Sequence, residues 1–107
     1  MMNQERSVRF TVQPYQGVLN SQYGSKGWEL LDFAPHFIAA HPHGFKGTFR
    51  VTPQAWDYET RHAAWPDPVL LQTYHTDGWQ LVAAVPDATS QVDDRHLLLM
   101  KRAVPVR

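Results

Sequence analysis

Two stretches of the chain carry nearly the same pattern of apolar and polar positions, 51 residues apart. Residues 18–35 read VLNSQYGSKGWELLDFAP and residues 69–86 read VLLQTYHTDGWQLVAAVP, and seven of the eighteen positions are identical without a gap. Unrelated stretches of ordinary composition would share about one position at this length. The chain therefore contains an internal repeat of one unit.

Each copy begins with a pattern of helical spacing. An apolar stripe over Tyr15–Tyr23 recurs every three to four residues, and a matching stripe runs over Trp65–Tyr74. This spacing predicts a short amphipathic helix in each copy. In the second helix Asp67 is placed to act as the N-cap. Pro68 follows at the first helical position, where its missing N–H costs nothing.

A strand is predicted directly after each helix. Gly27 and Gly78 stand where the helix must end, a position that favours a residue able to adopt positive φ. From Trp28 and Trp79 onward the side chains alternate between two faces, as they do along a strand. Alternating apolar positions predict further strands at Ser7–Gln13, Phe45–Thr52, Trp56–His62 and His96–Ala103.

The predicted order is therefore β-α-β-β in each copy, over about residues 7–52 and about residues 56–103 of a single domain spanning 1–107. Two such units predict an α+β fold, with one mainly antiparallel sheet of about six strands and both helices on one face. A pseudo-two-fold axis would relate the copies, and a ferredoxin-like βαββαβ core is embedded in this order.

The alternation also predicts apolar residues on the sheet face away from the helices. Suppose that the two tryptophan-led strands turn Trp28, Leu30, Trp79 and Leu81 toward the helices. The residues on the opposite face are then Leu31, Phe33, Val82, Ala84, Leu97 and Leu99. A two-layer antiparallel fold normally keeps that face polar, and an exposed apolar patch marks a partner or a ligand groove. We expect a second copy to cover it, which would give a homodimer. The alternatives are a protein or small-molecule ligand, or cover by residues 34–47 or 104–106 of the chain itself.

The letters LN at 19–20 and GWEL at 27–30 resemble a small bacterial and phage domain family of unknown function, called GWEL domains below. That family is similar in having a short strand, a helix with Leu-Asn, a Gly-Trp-Glu-Leu strand and a closing strand that ends in Lys-Arg. The second copy resembles a diverged member, with Leu71 for the asparagine, Gln80 for the glutamate and KR at 101–102. The resemblance implies a tandem duplicate of a bacterial accessory or interaction module. It implies no catalytic residue.

Composition narrows the classes of partner. The 107 residues are 43% hydrophobic and 19% charged, which is typical of a globular domain. Ten basic residues balance ten acidic ones, so no net field attracts nucleic acid or an anionic membrane. The absence of cysteine excludes disulfides, thiolate metal sites and cysteine nucleophiles. The opening MMNQERSVRF lacks the apolar run of a signal peptide, and no stretch is apolar enough to span a bilayer. We therefore expect a cytoplasmic protein with no nucleic-acid or membrane partner.

Three histidines, His36, His41 and His43, are the strongest candidates for chemistry. Imidazole is a common ligand of zinc and copper, and His41 and His43 are close in sequence. A structural zinc site needs four ligands, however, and neither an HExxH helix nor a cysteine pair supplies the others. We therefore expect no metal and no cofactor, and the sequence favours a non-enzymatic binding domain. A small enzyme that uses this loop, either metal-dependent or with a histidine base, is the alternative.

Overall fold

The computed structural model describes residues 4–11, 14–36, 44–86 and 95–105. Its elements are, in chain order, β1 (Glu5–Phe10), α1 (Gln16–Gln22), β2 (Trp28–Pro35), β3 (Phe45–Val51), β4 (Trp56–Ala64), α2 (Pro68–Thr76), β5 (Gln80–Pro86) and β6 (Arg95–Ala103). A short 3-10 turn, Gly24–Lys26, joins α1 to β2. The fold is α+β, and the predicted order β-α-β-β is confirmed in both copies.

The local signals at the helix ends act as the sequence predicts. The Asp67 carboxylate accepts a hydrogen bond from the Leu70 backbone N–H at 3.1 Å, and Pro68 occupies the first turn of α2. This side chain satisfies one of the backbone donors that a helix N-terminus leaves unpaired. The start of the second helix is therefore determined by residues next to it in sequence.

Both predicted glycines adopt the left-handed conformation, with φ of 83° at Gly27 and 88° at Gly78. They differ in their surroundings. A Cβ at Gly27 would lie 2.5 Å from the Thr52 carbonyl oxygen, whereas a Cβ at Gly78 would meet only the Arg102 side chain, at 3.5 Å. Backbone conformation requires glycine at both positions, and close packing adds a second requirement at Gly27.

The six strands form two three-stranded antiparallel sheets. The order is β1-β3-β2 in the first sheet and β4-β6-β5 in the second, so each copy builds one sheet. The prediction of a single six-stranded sheet with both helices on one face is therefore wrong. The edge strands β2 and β5 lie beside each other, but no backbone ladder joins them in the described residues.

A β-bulge interrupts the alternation of β2. Leu30 lies opposite Phe49, and Phe33 lies opposite Gly47, so Leu30 and Phe33 share one face of the first sheet. Leu31 has no opposite residue and is the extra residue of the bulge. An extra residue reverses the phase of every later side chain in the strand. The prediction that Phe33 faces away from the helix is therefore wrong.

The same bulge occurs at the matching place in β5. Leu81 lies opposite Met100, and Ala84 lies opposite Leu98, with Val82 as the extra residue. Ala84 therefore shares a face with Leu81, and the prediction that the two residues lie on opposite faces is also wrong. The conservation of this irregularity between copies shows that the copies have the same internal structure.

The main core lies between the two sheets and α1. Its buried members are contributed by both copies and are Leu19, Tyr23, Leu30, Phe33, Phe49, Trp56, Tyr58, Val85, Leu97 and Leu99. Helix α1 lies against β4 of the second sheet, whereas the described residues show no comparable contact between α2 and β1. A two-fold axis would require both contacts, so the predicted pseudo-two-fold relation between the copies is wrong.

Candidate interaction site

The two copies differ in how the helix-facing side of each sheet is covered. Leu30 and Leu81 hold matching positions beside matching bulges, yet Leu30 is 0% exposed and Leu81 is 39% exposed. Helix α1 contains the buried Leu19, whereas α2 contains no buried residue. Because the internal pairing is the same, the difference must come from what lies against each copy. The open surface of the second copy is the candidate site.

The second sheet covers the first copy through its tyrosine and lysine side chains. The Tyr58 hydroxyl accepts a hydrogen bond from the Leu30 N–H at 2.7 Å and donates one to the Trp28 carbonyl oxygen. The Lys101 Nζ donates to the Leu30 carbonyl oxygen at 2.9 Å. Burial raises the pKa of Tyr58 well above its ordinary value, so the phenol stays protonated and remains a donor. These side chains satisfy the outward edge of β2, which would otherwise expose unpaired backbone groups.

Helix α1 protects the outer edge of β4 in a similar way. The Asn20 side chain donates from Nδ2 to the Tyr58 carbonyl oxygen at 3.2 Å and accepts from the Tyr58 N–H at 2.6 Å. The Gln16 side-chain oxygen accepts from the Thr60 N–H at 3.2 Å. The helix thus takes the place of a neighbouring strand. Leu71 is at the position in α2 that matches Asn20. It has no side-chain amide that could hydrogen-bond to the edge of a strand.

A partly buried ion cluster joins the two copies. One Glu29 carboxylate oxygen lies 2.7 Å from Arg50 Nη2, and the other lies 2.7 Å from Lys101 Nζ. Burial by itself raises the pKa of Glu29, but the hydrogen bonds and charges of Lys101 and Arg50 outweigh it, so the pKa lies below the ordinary value of 4.5. Arg50 and Lys101 hold matching positions, so one carboxylate binds a cation from each copy. Gln80 matches Glu29 in the second copy and carries no charge.

An open groove lies between α2 and β5. Its volume is about 330 Å³, and its lining includes Leu71, Tyr74, His75, Trp79, Leu81 and Met100. The Tyr74 and Trp79 rings meet edge-on, with centroids 6.4 Å apart. The Arg102 guanidinium carbon lies 4.3 Å from the centre of the Trp79 ring, and that of Arg61 lies 6.0 Å from the centre of the Tyr74 ring. The groove is therefore apolar, with stacked cations on its aromatic wall.

The residues predicted to form one apolar sheet face do not share a face, because Ala84 lies on the same face as Leu81 and Leu97 lies on the other. Phe33, Leu97 and Leu99 belong to the main core, where the chain itself covers them. Leu31, Val82 and Ala84 are half-buried, and Val82 packs against the same core.

The predicted histidine site falls mostly outside the described residues, because His41 and His43 lie there. His36 directly follows β2, and its backbone N–H donates to the Gly44 carbonyl oxygen at 2.8 Å. Within residues 4–11, 14–36, 44–86 and 95–105, no group of three or more His, Cys, Asp or Glu side chains is placed to hold a metal ion.

Sequence reasoning missed the α2–β5 groove. A signal for it was nevertheless present in the repeat. The second copy lacks the asparagine and the glutamate, since Leu71 and Gln80 replace Asn20 and Glu29. In the first copy those two side chains bind groups of the other copy. Their loss identifies the second copy, whose matching surface is not covered by the first copy within the described residues.

Comparisons with known proteins add no assignment. No protein-family model matches the chain, and neither a curated protein nor a solved structure shows significant similarity to it. Among the described residues, neither helix has the length and apolar character needed to cross a membrane.

Proposed function

We propose that this protein is a non-enzymatic interaction domain that associates with a second copy of itself. The observation that carries the proposal is the unequal cover of Leu30 and Leu81, which hold matching positions. In the first copy this surface binds another unit of the same kind. In the second copy the same surface is open and apolar, which is typical of a protein contact.

The chemistry of the groove supports binding over catalysis. Among the described residues, its titratable lining residues are Tyr74 and His75, and none of the carboxylates in this part of the chain lines it to orient the histidine as a base. The Tyr74 hydroxyl accepts a hydrogen bond from Arg61 at 3.3 Å. The zero net charge favours association of like chains, since no net repulsion separates them.

The matching bulges and left-handed glycines also support a proposal about origin. We propose that the chain arose by duplication of a GWEL-type unit and that it acts in the cytoplasm. In a chain that contains two copies, one copy can cover the surface of the other, and the sequences of the two copies can then diverge. The replacements at Leu71 and Gln80 fit that history.

Sedimentation velocity of the full chain across the micromolar range tests self-association. We expect a mass near twice the 12.3 kDa of one chain. A strict monomer over the whole range would contradict the proposal. Metal analysis of protein purified without a histidine tag addresses the alternative. A stoichiometric metal that is lost in a His41→Ala, His43→Ala double variant would favour the metal-dependent enzyme.

A further inference from the structure

The outer edge of β1 is open in the described part of the chain. The edge of β2 is covered by Tyr58 and Lys101, that of β4 is covered by α1, and β5 lies beside β2. The one described element with which β1 makes extensive contact is β3. The side chains of Glu5, Ser7 and Arg9 are exposed. An open strand edge presents unpaired backbone groups that can bind another strand.

The register of β1 on β3 determines which backbone groups point outward. The Val51 N–H donates to the Gln4 carbonyl oxygen at 3.0 Å. Because hydrogen-bonded residues alternate along an antiparallel pair, Gln4 and every second residue after it bond to β3. The outward N–H and C=O groups belong to the residues between them, which are Glu5, Ser7 and Arg9.

The exposed charges of β1 indicate what binds this edge. Arg9 lies directly opposite Lys46 of β3, and two like charges so placed destabilise a sheet. Within the described residues, neither Glu5 nor Arg9 forms an ion pair. Ser7 stands midway between them in the sequence. A second β1 that runs antiparallel about Ser7 therefore places Glu5 of each chain opposite Arg9 of the other, and the edge complements a second copy of itself.

We infer that β1 of one chain pairs antiparallel with β1 of a second chain, with Ser7 opposite Ser7 on a two-fold axis. The inference rests on the proposed self-association and adds a contact surface separate from the α2–β5 groove. In this register every outward N–H and C=O group finds a partner, and two three-stranded sheets become one sheet of six strands. A shift by one residue would leave the outward groups without partners, and a shift by two would separate Glu5 from Arg9 at both ends.

A charge swap on β1 tests both the surface and its register. Arg9→Glu places a carboxylate opposite Glu5 of the second chain at both ends of the contact. We expect it to raise the dimer dissociation constant, measured by sedimentation velocity, by about tenfold or more. Within the chain the same change replaces a like-charge pair with an opposite-charge pair, because Arg9 faces Lys46. The double variant Glu5→Arg, Arg9→Glu exchanges the two charges and should restore the constant of the wild type.

Arg95→Glu is the matched control. It changes the net charge by the same amount at an exposed residue of β6, in the other sheet, and should leave the dissociation constant unchanged. A monomeric wild type overturns both the inference and the proposed function. A dimeric wild type overturns only the β1 contact if Arg9→Glu has no effect, if Arg95→Glu has an equal effect or if the double variant is not restored.

A second measurement needs no variant. In amide hydrogen exchange of the wild type, the Ser7 N–H should exchange about tenfold more slowly at concentrations where the dimer forms than in the dilute monomer. The N–H of Val8 is bonded to β3 in monomer and dimer alike, so its exchange should change much less. A Ser7 exchange rate that is independent of concentration overturns the inference.

Discussion

Replacing Glu29 by glutamine removes a carboxylate that two cations share. The Glu29 and Lys101 side chains are 9% and 11% exposed, so their contact is a buried ion pair. Arg50 is 38% exposed and can return to water, so its share is small. Removing one member of a buried pair costs about 3–5 kcal/mol, because the other charge is left without compensation. Glutamine keeps one acceptor oxygen, so we expect a loss near the lower end, about 3 kcal/mol.

Urea denaturation at neutral pH, followed by far-UV circular dichroism, measures this loss as a change in midpoint at unchanged slope. Asp32→Asn is the control, because Asp32 is an exposed carboxylate on the same strand. Its free energy of unfolding should change by no more than about 0.5 kcal/mol. A loss below about 1 kcal/mol in Glu29→Gln would refute the reasoning, since that is the value of an ordinary hydrogen bond.

The pH dependence provides a separate check on the same cluster. The pKa of Glu29 is lower in the folded chain than its ordinary value of 4.5. Its stabilisation is therefore complete above that value and is lost as the pH falls through the folded pKa. The difference in stability between wild type and Glu29→Gln should be constant near neutral pH and should narrow below pH 4.5. A difference that stays constant on acidification would show that the charge of Glu29 is not what stabilises the fold.

Four further substitutions give three more predictions, one on the two left-handed glycines and two on the contacts between the copies, and each is tested by the same urea titration. Gly27→Ala and Gly78→Ala should each cost about 1–2 kcal/mol for a left-handed alanine. Gly27→Ala should destabilise more, because only that alanine also meets a backbone oxygen, at 2.5 Å. Equal losses would mean that the close approach has no energetic effect. Tyr58→Phe should cost about 1–3 kcal/mol, because the buried Leu30 N–H loses its acceptor; no loss would show that another group replaces the phenol. Asn20→Leu introduces the residue that the second repeat has at the matching position. It should cost about 1–3 kcal/mol and increase aggregation through the uncovered edge of β4, measured by light scattering. An unchanged variant would show that the edge needs no cover.

The local parts of the fold are predictable from residues that lie close together in the sequence. Asp67 and Pro68 start α2, and Gly27 and Gly78 end the helical segments, because capping and positive φ depend on the backbone within a few residues. The strand positions followed from alternation for the same reason. The bulge did not, because an extra residue is recognised only from the partner strand. Leu31 looks like any other residue of an alternating strand until its neighbours pair with β3.

The repeat by itself determined that the chain builds two similar β-α-β-β units with apolar inner surfaces. Only the tertiary structure decided that these units form two sheets joined by side chains. The reason is that Tyr58 and Lys101 reach the edge of β2 across the molecule and take the places that a strand would have filled. The location of the candidate site was also decided by the tertiary structure. Leu30 and Leu81 are identical residues at matching positions of the repeat. One is buried and the other is exposed, because burial depends on which distant surface lies against each of them.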